Sequence, residues 1–343
     1  MSASICIVKC GLYISFMLAI FTGCSGRPTL EQMAAQMLMV GFRDTIVTSE
    51  SEIARWIADY EIGGVILFDY DVPSHSRPRN ITSQAQLRRL VDSLKSFSRQ
   101  PLFVAVDEEG GNVSRLNPDY EFMPTRSPKY LGQINNEDTT RFFARSIAIA
   151  CHSMGINVNF APSVDVNVNP ECPIIGRLGR SFSPDAAVVA NNAKWFINEH
   201  NKLGVLCAIK HFPGHGSSVA DTHRGLADVT ATWCYDELLP YALLAADTLP
   251  MAVMTSHIFN RNIDSLYPAT LSARTLSILR DSLNFDGLIF SDDMQMNAIS
   301  KFYGLDEAVC CAINAGVDVL IFSNNIDSYN HDIVENVLGA ILK

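Results

Sequence analysis

The stretch KHFPGHGSSVADTH, residues 210–223, crowds Lys210, His211, His215, Asp221 and His223 into one short span directly after the apolar run GVLCAI. Three chemistries compete for such a set. In the first, His211, His215, His223 and Asp221 are metal ligands, with Asp292 arriving from another segment. Metal-dependent hydrolases built on repeated strand–helix units usually draw on a His-x-His at the end of the first strand, and MLMVGFRD, residues 37–44, contains no histidine. In the second, the histidines are loop residues seated on backbone hydrogen bonds, a reading that for His215, inside Pro-Gly-His-Gly, is as well founded as a direct role. It leaves Lys210 unexplained, because a lysine ending an apolar strand needs an anionic neighbour or a polar ligand to offset its desolvation. In the third, Asp221 and His223 sit two apart in a turn, so the carboxylate can accept from one imidazole nitrogen and leave the other free for general acid/base work. That reading requires a nucleophile, and GLIFSDDM, residues 287–294, offers Asp292 and Asp293. Successive strand residues point to opposite faces, so only one of the two can serve; Asp293 is read as support for the loop or a neighbouring helix.

Residues so scattered along the chain need elements that gather them. Eight short apolar runs alternate with amphipathic stretches: MLMVGF, GGVILFD, LFVAVDEEG, NVNFAPSVDV, GVLCAIKHF, AVMTSHI, GLIFSDDM and VDVLIFS. Between them lie helical patterns such as SESEIARWIADY, TSQAQLRRLVDSLKSF, PDAAVVANNAKWFINEH and SARTLSILRDSLN. Repeated βα units of this kind predict an α/β chain closed into a (β/α)8 TIM-type barrel with a single catalytic domain. An open doubly wound sheet is the alternative, but no G-x-G-x-x-G follows the first strand. DEEGG, KHFPGHG, SH and SDD end the third, fifth, sixth and seventh runs, so a barrel would bring them together at its C-terminal mouth. Connections at about 110–138 and 211–234 exceed ordinary βα loops and are expected to build the site. After the last run residues 324–343 suffice for one helix, with no room for a second domain.

With 48% hydrophobic and 18% charged residues among 343, the chain can bury a large core. A net charge of −10 without a Lys/Arg-rich run argues against nucleic-acid partners. The opening residues place Lys9 before an apolar stretch, 11–21, too short to span a membrane, which reads as a secretory signal over 1–23. Its end, FTGC, resembles a bacterial lipobox and makes Cys24 a candidate lipid anchor; Phe21 stands where leucine is usual. The remaining cysteines, Cys151, Cys172, Cys207, Cys234, Cys310 and Cys311, fit neither a zinc ribbon nor a disulfide framework and are read as structural.

VAVDEEGGNVSRL, GRSF, KHFPGHGSSVADTH and GLIFSDDMQM, in that order and spacing, resemble the single-domain β-N-acetylglucosaminidases of glycoside hydrolase family 3, the NagZ type. The resemblance covers about residues 29–343. It implies that Asp292 is the nucleophile, His223 the acid/base and Asp221 its orienting partner, while Asp107, Arg115, Arg180, Lys210 and His211 grip the hydroxyls of the terminal sugar. Thr222 stands where serine is common, and Asn112 where arginine usually follows EGG. The implied activity is retaining hydrolysis of terminal non-reducing β-GlcNAc from peptidoglycan fragments or chito-oligosaccharides, with no metal or cofactor. With the signal, it implies a periplasm-facing lipoprotein that meets the membrane only through Cys24. Phosphorolysis or β-glucosidase activity within the family, and a non-catalytic sugar-binding lipoprotein, are the alternatives.

Overall fold

The computed structural model describes residues 27–343, so the expected signal segment and Cys24 lie outside the described residues. The strands are β1 (Leu38–Gly41), β2 (Gly64–Leu67), β3 (Phe103–Val106), β4 (Val158–Asn159), β5 (Leu206–Phe212), β6 (Ala227–Asp228), β7 (Ala252–Thr255), β8 (Ile258–Phe259), β9 (Ile289–Asp293) and β10 (Val319–Phe322). All but β6 and β8 close a barrel in which β1 pairs with both β2 and β10. Every barrel pairing is parallel. Each of the eight apolar runs supplies one barrel strand, and helical structure follows each of them. The chain is therefore a (β/α)8 barrel. β6 and β8 pair only with each other, through Ala227–Ile258 and Asp228–Phe259, a small ladder with no signal in the sequence.

Local chemistry explains the elements. Helix Gln84–Phe97 starts where the Ser83 side chain accepts from the Gln86 amide, and Leu87, Leu90, Val91 and Leu94 recur at helical spacing on its buried face. The stretch 272–284, expected as one helix, begins as Ala273–Ser277 and widens into a π turn over Ile278–Ser282. There Arg280 reaches the carbonyls of Phe285 and Gly287 and the carboxylate of Asp318.

Because strand side chains alternate, one set fills the barrel and the other packs under the helices. Met39, Ile66, Ala105, Val158, Phe160, Ala208, Ala252, Met254, Phe290, Val319 and Ile321 form the interior. The ring of Phe290 meets Phe160 edge-on at 5.3 Å and Phe103 at 6.1 Å, so large rings interleave with small alanines. Val40, Val65, Leu67, Val104, Val106 and Leu320 belong to the outer core with Trp56, Leu90 and Phe196 from the helices. Helix Leu30–Gln36 is pressed against the opposite end from the mouth. Gly63, just before β2, donates to Ala35 O at 3.0 Å, and a Cβ there would lie 2.0 Å from Gln36 O.

The fourth run keeps only two ladder residues. Pro162 has no N–H to give, and pairing beyond Asn159 is reduced to a bridge between Ser163 and Lys210. The buried Asn159 amide compensates, accepting from Glu108 N and donating to Glu108 O, each at 3.0 Å. The consequence is a third long connection, residues 160–185, beside the two expected ones. None of the described cysteines is disulfide-bonded, and Cys151, Cys172 and Cys207 are buried. No helix among the described residues is long and apolar enough to cross a membrane.

Candidate active site

A cavity of about 370 Å³ opens at the C-terminal ends of the barrel strands. Asp107, Arg115, Arg180, Lys210, His211, His223 and Asp292 all line it. Asp221 stands behind His223 and faces outward.

The lysine that the sequence left in need of an anion has two. Lys210, at the end of β5 and 2% exposed, donates to Asp107 Oδ1 at 2.5 Å and lies 2.8 Å from Glu109 Oε1. Arg180 donates to the same Glu109 through Nη2 and Nε, at 2.6 and 2.9 Å. Two buried cations thus face two carboxylates, and the local charge is balanced without solvent. Burial works against ionising Glu109, but Arg180 and Lys210 outweigh it and bring its pKa down to about 2. The three acids of DEEGG have separate tasks. Asp107 faces the cavity, Glu109 holds the cations, and Glu108 turns back to accept from the backbone of Arg115 and Leu116 at 2.7 and 2.8 Å. Burial raises Glu108 to about 7 against those hydrogen bonds.

Arg115 differs from Arg180. Its Nε is buried without a hydrogen-bond partner, with Asp69 Oδ1 3.9 Å away at the cavity wall.

Asp165, on the long connection after β4, organises the histidine motif. It is fully buried, and its carboxylate takes His211 Nδ1 at 2.6 Å, His211 N at 3.2 Å and His215 N at 2.7 Å. Burial opposes its charge, yet His211, His215 and these bonds hold its pKa well below the usual carboxylate range. With Nδ1–H given to Asp165, His211 presents Nε2 to Arg180 Nη2 at 3.1 Å. His215 is buried, and desolvation keeps its pKa near 4, so it is neutral and shapes the turn.

His223 comes from the loop after β5 and Asp292 from the end of β9. His223 Nδ1 donates to Asp221 Oδ1 at 2.8 Å, and the same oxygen accepts the His223 amide at 2.9 Å. The carboxylate therefore fixes the tautomer and leaves Nε2 toward the cavity. Desolvation lowers the imidazole's pKa, but the bond to Asp221 and the charge of Asp292 outweigh it and hold it above 6.5. Asp292 moves the other way: burial would raise it, whereas His257, His211 and His223 keep it below its ordinary value. Asp293 is tied away, accepting from Ser323 N and Gln295 N at 3.1 Å and from Ser323 Oγ at 2.5 Å. His257, from the SH after β7, is buried, which lowers its pKa; its Nε2–H donates to Asp293 O at 2.9 Å.

Sequence reasoning did not single out Glu109, Asp165, Asp69 or Glu237. Glu237, fully buried on the turn Tyr235–Leu238, accepts from Ser217 N at 3.1 Å and supports the histidine loop from beneath. Only for Glu109 did the sequence carry a signal, in the demand of Lys210 for an anion.

Comparison with known proteins converges on one family. The model of the glycosyl hydrolase family 3 N-terminal domain matches residues 29–341. Beta-hexosaminidase A of Pseudoalteromonas piscicida is 32% identical over 335 residues, which cover 85% of this chain and 53% of that protein. Beta-hexosaminidase LpqI of Mycobacterium tuberculosis is 33% identical over 303 residues, 84% of this chain and 71% of that one. A family 3 β-N-acetylglucosaminidase from a Paenibacillus species superposes with a TM-score of 0.82 at 31% identity, over 92% of this chain and 58% of its own. The chain thus spans only about half the length of the Pseudoalteromonas and Paenibacillus proteins. Over nearly all of its described length, from Thr29 to Ile341, it belongs to glycosyl hydrolase family 3.

Proposed function

We propose that this chain is a retaining exo-β-N-acetylglucosaminidase that removes terminal non-reducing β-GlcNAc through a covalent glycosyl-aspartate. Asp292 attacks the anomeric carbon while the His223 imidazolium protonates the departing oxygen, so the bond to the aglycone breaks as the bond to Asp292 forms. His223, now neutral, takes a proton from water, and the water oxygen displaces Asp292. Asp221 orients the imidazole, and Asp107, Arg115, Arg180, Lys210 and His211 bind the hydroxyls of the terminal sugar.

One observation carries this reading. Asp292 and His223 line a single cavity, where the charge of His223 helps to lower the pKa of Asp292 and that of Asp292 helps to raise the pKa of His223. Opposed titration of a facing carboxylate and imidazole is what nucleophile and acid need at the same pH. The relatives named beta-hexosaminidase and β-N-acetylglucosaminidase support GlcNAc as the sugar. Peptidoglycan fragments and chito-oligosaccharides are the proposed sources, residues 29–343 the catalytic unit, and Cys24 a lipid anchor on the periplasmic side.

Trapping with a slow fluorinated donor, 5-fluoro-β-GlcNAc fluoride, followed by peptide mapping should place one sugar on Asp292. Asp292→Ala should abolish both labelling and turnover. A label on Asp293, or none with active enzyme, would overturn the assignment.

A further inference from the structure

The loop bearing His223 is thinly supported. Val219 is 68% exposed, and a Cβ on Gly225 would meet nothing within 4 Å. The partner of the imidazole, Asp221, lies in the same loop and cannot anchor it to the barrel. Beyond the loop itself Thr222 and His223 reach three groups. Thr222 Oγ1 lies 3.4 Å from His215 Nε2, Thr222 O accepts from Ala298 N at 3.2 Å, and His223 O accepts from Asn297 Nδ2 at 2.7 Å.

Two of these three come from one place. Asn297 and Ala298 follow the nucleophile strand β9 directly, after a turn closed by Met296 N donating to Asp293 O at 3.0 Å. That turn is fixed in turn by Ser323 and His257 on Asp293. Asn297 opens the short helix Asn297–Ser300, whose start has no side-chain cap. Its side-chain Nδ2–H is spent on the loop that carries His223.

We propose that Asn297 is a positioning residue that clamps the backbone of His223 to the segment carrying Asp292, setting the offset between the two across the mouth. The inference rests on His223 being the acid/base. A misplaced acid matters most when the leaving group is poor, since a dinitrophenolate departs with little protonation. Losing the clamp should therefore act like a weak form of losing the imidazole.

The test measures kcat/KM, which reports glycosylation, on chitobiose and on 2,4-dinitrophenyl β-GlcNAc for Asn297→Ala, Asn297→Leu and His223→Ala. Asn297→Leu keeps the volume without the donor. Both Asn297 variants should lose about three- to tenfold on chitobiose, the worth of one neutral hydrogen bond, and at least threefold less on the activated substrate, with unchanged melting temperature. His223→Ala should show the same selectivity more strongly. If His223→Ala is selective and the Asn297 variants lose equally on both substrates or on neither, the clamp is overturned and the acid/base reading stands. If His223→Ala itself loses equally on both, the two readings fall together.

Discussion

Asp292 and Asp293 are joined by one peptide bond, and their surroundings separate them chemically. Imidazoles overcome burial at Asp292, while burial prevails at Asp293 over its bonds to Ser323 and Gln295 and raises its pKa. The pairing with His223 sets the pH window. In the proposed mechanism glycosylation needs Asp292 ionised and His223 protonated, so the acid limb of kcat/KM should lie below 3.8 and the alkaline limb above 6.5. Between these limits it should be flat. Because the bond to Asp221 is the largest influence raising His223, Asp221→Asn should draw the alkaline limb to lower pH. A pH–rate profile checks both; an alkaline limb unmoved by Asp221→Asn would contradict the role given to that carboxylate.

At the scale of elements, the histidine loop rests on the turn Tyr235–Leu238. Gly214 has φ +116, and a Cβ there would come 2.5 Å from Glu237 Cβ, so backbone and side chain are in direct contact. Glu237 has a pKa raised to about 7, chiefly by burial. The folded state therefore binds this proton more tightly than the unfolded chain, so its contribution is fully present below about 4.5 and is lost as pH rises toward 7. A raise of that size corresponds to on the order of 3 kcal/mol. Glu237→Gln, which mimics the neutral acid, should melt higher than the parent at pH 8 and nearly equal to it at pH 5. Thermal melts at both values decide it, and an equal offset at both would show that Glu237 does not titrate in this range.

Barrel strands are legible because each run is apolar for its whole length and ends in polar residues, as β5 ends in Lys210 and His211. The need of Lys210 for an anion is legible from desolvation alone. Its partner Asp107 is 103 positions away, however, and that contact exists only once β3 and β5 share a barrel. Asp165 and Asn297 leave no trace, since one serves imidazole and backbone groups some 46 residues on and the other a single carbonyl 74 residues back. The π turn at Ile278–Ser282 is hidden for a related reason: periodicity of 3.6 continues through it, and one of the groups that Arg280 meets there, Asp318, lies 38 positions on.

For the whole molecule, the placement of helix Leu30–Gln36 beneath the barrel decides more than packing. It seats the start of the described chain at the end of the strands opposite the mouth. An anchor at Cys24, as proposed, would attach there through residues 25–29, which reach roughly 17 Å even fully extended. That tether is too short to carry the mouth around to the bilayer. The enzyme would stand on the membrane with its opening turned outward, like a cup on its base, sampling sugar chain ends that diffuse in solution and holding lipid-linked glycans out of reach. Cys24→Ser should then move the protein from the membrane to the soluble fraction while kcat/KM on chitobiose changes less than about twofold, because a lipid on the far side only tethers. A large gain on release would mean that the bilayer had been obstructing the mouth, and the orientation would have to be reversed.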